Sequence, residues 1–254
     1  MNESLWKRLG QEAAQAWAIF LKDIRVYYLQ PPMIMYGLVM PFFIFFSFAV
    51  KRNLGIQCSM ANLLALTTFF TASSAGPVII PLERRERTYD RLLTAPMSIW
   101  TLLIGKTLVG MLFAVASSAI PLLVGVLLLG CEVRALPLCL LALVLSTAAF
   151  AAFGLAFASI PAQSVGSIMM PSTLLRWPLL FISGVFIPLG EMQPWTRIIS
   201  YLSPLTYGQD LMHHALDKKA VQSLALDAGA LALCIMTFMV VAYLLHRRSR
   251  KLGY

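Results

Sequence analysis

Six stretches of this 254-residue chain are long and apolar enough to cross a lipid bilayer, and that pattern limits its fold more than any other feature. Crossing the ~30 Å hydrocarbon layer takes about 20 mostly apolar residues. Residues 33 to 50, 60 to 82, 101 to 129, 135 to 160, 163 to 187 and 222 to 245 fit that description. Runs of this length satisfy their backbone polar groups in lipid as helices, so the expected fold class is an all-α polytopic membrane protein with six transmembrane helices. Charged residues make up 12% of the chain and hydrophobic ones 59%, whereas a soluble domain carries roughly a quarter charged residues. Only short loops and two tails lie outside the spans. Residues 1–254 therefore read as a single transmembrane domain, and any energy source for work must be external.

The first 30 residues are not read as a cleaved signal peptide, because Lys7, Arg8, Glu12, Lys22, Asp23 and Arg25 interrupt every apolar run there. Leu5, Leu9, Ala13, Ala16, Trp17, Phe20, Ile24 and Tyr27 recur at helical spacing instead. This suits an interfacial amphipathic helix within residues 1–32; a solvated helical tail is the alternative. Tyr27, Tyr28, Pro31 and Pro32 mark the turn into the first span. Positive charge favours the cytoplasmic side. Lys7, Arg8, Lys22, Arg25, Arg84, Arg85, Arg87, Arg91, Lys106, Arg247, Arg248, Arg250 and Lys251 fall on one side, and only Lys51, Arg52, Arg134, Arg197, Lys218 and Lys219 on the other. Both termini and the 83–100 block are therefore expected in the cytoplasm. The net charge of +9 is explained by anionic lipid headgroups, and nucleic acid is not called for.

The 83–100 block carries Glu83, Arg84, Arg85, Glu86, Arg87, Asp90 and Arg91 with the anchors Tyr89, Leu92 and Leu93. Both signs of charge beside apolar anchors suit the recognition of a soluble partner, and a solvated loop is the plainer alternative. Arg176 lies about 12 residues from either end of the fifth span, roughly 18 Å deep at the helical rise, bracketed by Pro171 and Pro178. A cation at that depth needs backbone carbonyls, water, another subunit or an anionic substrate, which makes Arg176 either a structural group or a pathway candidate. Residues 186–215 are too apolar for an ordinary outer loop, and Pro188, Pro194 and Pro204 divide them into short pieces. A re-entrant helical hairpin between spans five and six is expected, with Pro188, Pro194, Trp195, Pro204 and Tyr207 as outer gate candidates; an interfacial hairpin without a gating role is the alternative. Phe42, Phe43, Phe45, Phe46, Phe69 and Phe70 either face lipid or line a groove, and Ala148, Ala152, Gly154, Ala156 and Ser159 give the fourth span a small-residue packing face.

Chemistry of its own is not expected. Gly105, Lys106 and Thr107 spell the end of a nucleotide-binding loop, but Trp100 stands where that loop needs glycine. Lys106 is expected to reach the inner headgroups. Ser183 has no histidine in a neighbouring span to activate it. His213 and His214 are adjacent and so point about 100° apart on a helix; a metal site is not expected, and surface polarity is the default for them. Cys58 and Cys131 flank outer loops and pair only if the fold brings them together.

The inner block, through Glu83, Thr88, Arg91, Leu92, Leu93, Pro96, Gly105 and Lys106, resembles a signature of ABC-2 type transporter permeases. A second block, through Ser183, Gly184, Pro188, Pro194, Trp195, Ser200, Ser203, Pro204, Leu205, Thr206 and Tyr207, is similar to another signature of that family. Arg87 departs from it, since glycine often precedes the threonine there. The resemblance implies a six-span permease subunit in the cytoplasmic (inner) membrane of a prokaryote. It also implies a homodimer with a second permease copy, bound to two copies of a separate ABC ATPase. ATP and magnesium would sit on that partner, and this chain would hold no cofactor. Residues 83–100 would form the cytoplasmic coupling helix, seating Glu83, Arg84, Arg85, Glu86, Arg87, Thr88, Tyr89, Asp90, Arg91, Leu92, Leu93 and Pro96 against the ATPase. Export of an amphipathic substrate, whether drug, lipid or lipid-linked glycan, is the function implied. A non-transporting membrane scaffold or channel that recruits a soluble partner remains the alternative.

Overall fold

A computed structural model of the chain describes residues 2–27, 35, 39–43, 56–86, 98–128, 130–160, 164–217 and 220–251. Helices α1 (Asn2–Tyr27), α2 (Ile56–Arg85), α3 (Ile99–Leu128), α4 (Leu136–Ala158) and α5 (Val165–Ile182) lead to a short 3-10 turn at Leu189–Glu191. Helices α6 (Pro194–Ser200), α7 (Pro204–Leu216) and α8 (Leu224–Lys251) follow. No strand occurs among the described residues. Among the described residues four helices are long and apolar enough to cross a membrane: Ser59–Arg85, Ile99–Leu128, Leu136–Ala158 and Leu224–Arg248. The expected span at 33–50 lies largely outside the described residues. The expected span at 163–187 becomes the 18-residue α5, about 27 Å long at the helical rise. It carries Arg176 and two prolines and is not among those four.

α2 is the axis of the bundle. It packs on α3, α4, α5 and α7, and its membrane-length core is wholly buried. A helix surrounded by protein can carry hydroxyls if they are satisfied locally. Thr67, Thr68, Ser73 and Ser74 return theirs to the carbonyls of Leu63, Leu64, Phe69 and Phe70 at 2.8, 2.9, 2.5 and 2.6 Å. Phe69 and Phe70 are buried here, with Phe69 edge-on to Phe150 and Phe70 edge-on to Trp177; neither faces lipid or a groove. α3 and α8 turn leucines outward along their length, such as Leu127, Leu128, Leu233 and Leu244, which suits a lipid boundary.

Close backbone approach sets the centre of the bundle. A Cβ at Gly154 of α4 would lie 2.2 Å from the Ser73 carbonyl oxygen, so α2 and α4 touch backbone to backbone at that point. α1 packs on α3 at one end of the bundle, and α7 wedges between α2, α4 and α8 at the other. The buried face of α1 is Ala16, Ile19, Phe20 and Asp23. Ala16 and Phe20 belong to the expected stripe, whereas Ala13 and Trp17 of that stripe are exposed and the acidic Asp23 is buried.

Candidate functional site

The charged block begins inside the bundle. Glu83, on the last turn of α2, has its carboxylate fully buried and takes the Lys106 ammonium of α3 at 2.6 Å and that of Lys22 from α1. Lys106 Nζ also donates to Asp23 Oδ2 at 2.7 Å, and Lys22 Nζ lies 2.9 Å from Asp23 Oδ1. Two cations and two carboxylates thus balance at one junction of three helices. Gly105 permits the junction, since a Cβ there would stand 3.0 Å from the Ala16 carbonyl oxygen and 3.1 Å from Ile19 Cβ. Burial pulls the Lys22 ammonium pKa down, but Glu83 and Asp23 pull it further up, so it ends above its ordinary value.

Two expectations change here. Lys106, with a side chain 1% exposed, does not reach headgroups, because buried carboxylates claim it. Glu83 does not face a partner, because it is spent on lysines of its own chain. A cation one turn and more into an apolar run demands a partner, and at Lys106 that partner is a pair of carboxylates. Arg84 Nη1 donates to the Ile160 carbonyl at 3.0 Å, just beyond α4. Arg85 and Glu86 are exposed. Arg87, Thr88, Tyr89, Asp90, Arg91, Leu92, Leu93 and Pro96 lie outside the described residues.

Arg176 is completely buried. Its Nη2 donates to the Ser73 carbonyl at 2.5 Å and to Ser172 Oγ at 2.8 Å, and its Nη1 donates to Ser74 Oγ at 3.0 Å. The Ser73 carbonyl is available for a covalent reason. In an α-helix it would accept from the N–H of residue 77, and residue 77 is a proline without one. Arg176 therefore satisfies a carbonyl that Pro77 orphans, and ties α5 to the middle of α2.

At the opposite end, the prolines start the short elements as anticipated. Pro188 precedes the 3-10 turn, and Pro194 and Pro204 open α6 and α7 at the first helical position. The turn between α6 and α7 is stitched by side chains. Thr206 Oγ1 donates to the Ser200 carbonyl at 2.6 Å, Tyr207 Oη to the Tyr201 carbonyl at 2.8 Å, and Ser203 Oγ to the Leu179 carbonyl at the end of α5 at 3.0 Å. Burial pushes the Tyr207 phenol above its ordinary pKa, which keeps it a donor. Trp195 is 61% exposed and helps line a cavity of about 500 Å³ with Phe181, Ile187, Glu191, Gln193 and Ile199.

Behind that turn runs a buried polar chain, which takes His213 away from the surface expected for it. Gln209 Nε2 donates to Asn62 Oδ1 at 2.9 Å and to the Gly184 carbonyl at 3.1 Å. His213 places Nε2 3.1 Å from Asn62 Oδ1 and Nδ1 3.0 Å from Asp217. Gly184 holds φ at +95°, where a side chain would be strained, and a Cβ there would meet Leu189 at 3.0 Å. His213 is buried and His214 half-buried, because α7 lies inside the bundle end instead of on it.

A model of the family described as "ABC-2 type transporter" matches residues 14–216. Nodulation protein J of Neorhizobium galegae is 34% identical over 102 residues, covering 37% of this chain and 39% of that protein. The probable multidrug ABC transporter permease YbhR of Escherichia coli K12 is 22% identical over 151 residues, covering 59% of this chain and 41% of that protein. The matches thus span about two fifths of the length of these curated relatives.

Proposed function

The chain belongs to the ABC-2 type transporter family, and from that premise we propose that it is the membrane-spanning permease subunit of an ATP-driven exporter. A separate ATPase hydrolyses the nucleotide, and this chain converts that subunit's movement into helix movement. The reading includes six spans in the inner membrane, both termini in the cytoplasm, two permease copies and two ATPase copies. The observation that carries it is the ion-pair junction of Lys22, Asp23, Glu83 and Lys106. It fixes the root of the 83–100 block to α1 and α3, so a push on that block moves three helices together instead of bending a loop. Arg85 and Glu86, exposed at the root, with Arg87 to Leu93 and Pro96 beyond them, form the coupling face; Glu83 and Lys106 position it.

Arg176 locks α5 to the proline-interrupted middle of α2, and a pathway role would require breaking those hydrogen bonds. Residues 186–215 form the outer gate. The cavity beside Trp195, largely apolar with Glu191 and Gln193 at its edge, suits an amphipathic molecule, in keeping with the word "multidrug" in the name of one relative. Co-purification of tagged chain from membranes tests the reading. A Walker-motif ATPase should accompany the native chain, its lipid-dependent activity should require the chain, and Arg85→Glu with Arg91→Glu should lower recovery of the ATPase at least tenfold while the permease stays folded. Recovery unchanged by those reversals overturns the coupling assignment.

A further inference from the structure

At the α7 end of the bundle a second cluster of ionisable groups takes no part in the function above. Asp210 and His214 lie four residues apart on α7 and so share one face. Asp227 projects toward them from the first turn of α8. One donor atom from each of the three falls within 4.8 Å of the others. Asp227 is fully buried and Asp210 nearly so, at 2% exposure. Two carboxylates in that position repel each other and lack hydration, so either one of them holds a proton or a cation lies between them. Among the described residues no lysine or arginine pairs with either.

The hydrogen bonds separate the two acids. Asp210 is held in place from behind: Oδ1 accepts Val221 N–H at 2.9 Å, and Oδ2 accepts Gln222 N–H at 2.8 Å and Val221 N–H at 3.1 Å. Neither carboxylate oxygen of Asp227 has a hydrogen-bond donor. His214 Nε2 stands 3.6 Å from Asp227 Oδ2, too far for a hydrogen bond. That is close to the separation of two ligands on one ion, since donors about 2.1 Å from a tetrahedral zinc lie about 3.4 Å apart. The Gln222 carbonyl oxygen, 3.0 Å from His214 Nε2, is a fourth donor in reach.

We propose that Asp210, His214 and Asp227 form a binding site for a divalent transition cation of the zinc type. Two carboxylate oxygens, one imidazole and a carbonyl, without thiolate, favour a borderline cation such as zinc, cobalt or manganese over copper(I), and the imidazole disfavours calcium and magnesium. The ion binds neutral His214 through Nε2 and replaces its contact with Gln222. Asp210, steadied by two backbone N–H groups, is the preorganised ligand. The cation would neutralise the buried acids and strap α8 to α7 and to the 220–223 turn. Asp227 lies beyond residues 14–216, the stretch that matches the family, whereas Asp210 and His214 lie within it.

The test uses the full-length chain in lipid nanodiscs, without a polyhistidine tag, stripped by chelator and titrated with Co²⁺ and then Zn²⁺. Native protein should take up about one Co²⁺ per chain with the absorption of a low-coordinate site, Zn²⁺ should displace it, and Zn²⁺ should raise the unfolding temperature. Asp227→Asn and His214→Gln should each weaken Co²⁺ binding at least tenfold and abolish the Zn²⁺ shift. Asp227→Asn removes a buried charge, so its metal-free unfolding temperature should equal or exceed the native one, which separates lost binding from lost folding. Absence of saturable Co²⁺ uptake by the native chain, or uptake unaltered in both variants, overturns the site.

Discussion

At the scale of single residues, burial decides what each charge can do. Arg176→Met should leave the Ser73 carbonyl without a donor, at a cost of about 1–3 kcal/mol for one buried unsatisfied group, beyond the lost packing. Adding Pro77→Ala restores the missing N–H, so the double variant should unfold at a higher temperature than Arg176→Met alone. If Pro77→Ala is equally destabilising with and without Arg176, the proposed link between them is wrong. Lys106 gives a second case. Lys106→Met leaves Lys22 as the one cation between Asp23 and Glu83, and removing one member of a buried ion pair costs about 3–5 kcal/mol. Asp23→Asn in the same chain should recover part of that loss, whereas a lysine that only met headgroups would show a small effect and no coupling. Lys22 sets the pH dependence of the junction. Its ammonium is held above its ordinary value by Glu83 and Asp23 against the pull of burial. The folded state therefore keeps a proton that the unfolded chain releases first. Its contribution is complete below the ordinary lysine range and is lost as pH rises through the raised value. Unfolding temperatures measured from neutral to strongly alkaline pH should fall through that range in native protein, and the fall should be smaller in Lys22→Met, which has no such proton to lose.

At the scale of helices, the contacts that matter are backbone to backbone. Gly154→Ala places a methyl carbon 2.2 Å from the Ser73 carbonyl oxygen and must pry α4 from α2, although alanine is the better helix former by about 1 kcal/mol. Gly229→Ala on α8 meets nothing within 4 Å and should be neutral or slightly stabilising. Comparing the monodisperse yield and unfolding of the two variants isolates the close approach from propensity. The sequence shows the helices themselves well, because lipid imposes a length and polarity threshold that each run meets alone. The apolar runs from residue 60 to 160 agree with α2, α3 and α4 to within a few residues. Interhelical partners were harder. Lys106 finds Asp23 across 83 positions of chain, and no local pattern announces that pairing, which buries Asp23 beside Ala16, Ile19 and Phe20. Some signals were present and passed over. Pro77 in a span announces an orphan carbonyl at residue 73, and the spacings Asp210 to His214 and His213 to Asp217 place acid and imidazole on shared faces. Surface polarity was the default for His213 and His214 because adjacent histidines at the end of the 186–215 hairpin show no partner locally, whereas α7 is buried from Pro204 onward.

At the scale of the whole molecule, the two ends of the bundle differ in kind, and the proposed function depends on which end faces which compartment. One end gathers α1, the ion-pair junction, the exposed Arg85 and Glu86, and the basic close of α8. The other holds the stitched α6 and α7 turn, the cavity beside Trp195 and the Asp210, His214 and Asp227 cluster. The first end carries the excess of lysine and arginine and, on the proposed reading, faces the cytoplasm. Only in that orientation can a cytoplasmic ATPase reach the junction while the cavity meets the exterior. Replacing the chain's four cysteines and adding a single new one at Glu191 or at Glu86, both exposed, tests this directly. A membrane-impermeant maleimide applied to intact cells should label Glu191→Cys at once, and should label Glu86→Cys only after the membrane is opened. The reverse pattern would put the proposed lever on the side without ATP, and a lever there has nothing to move it, however well the ion pairs bind three helices into one.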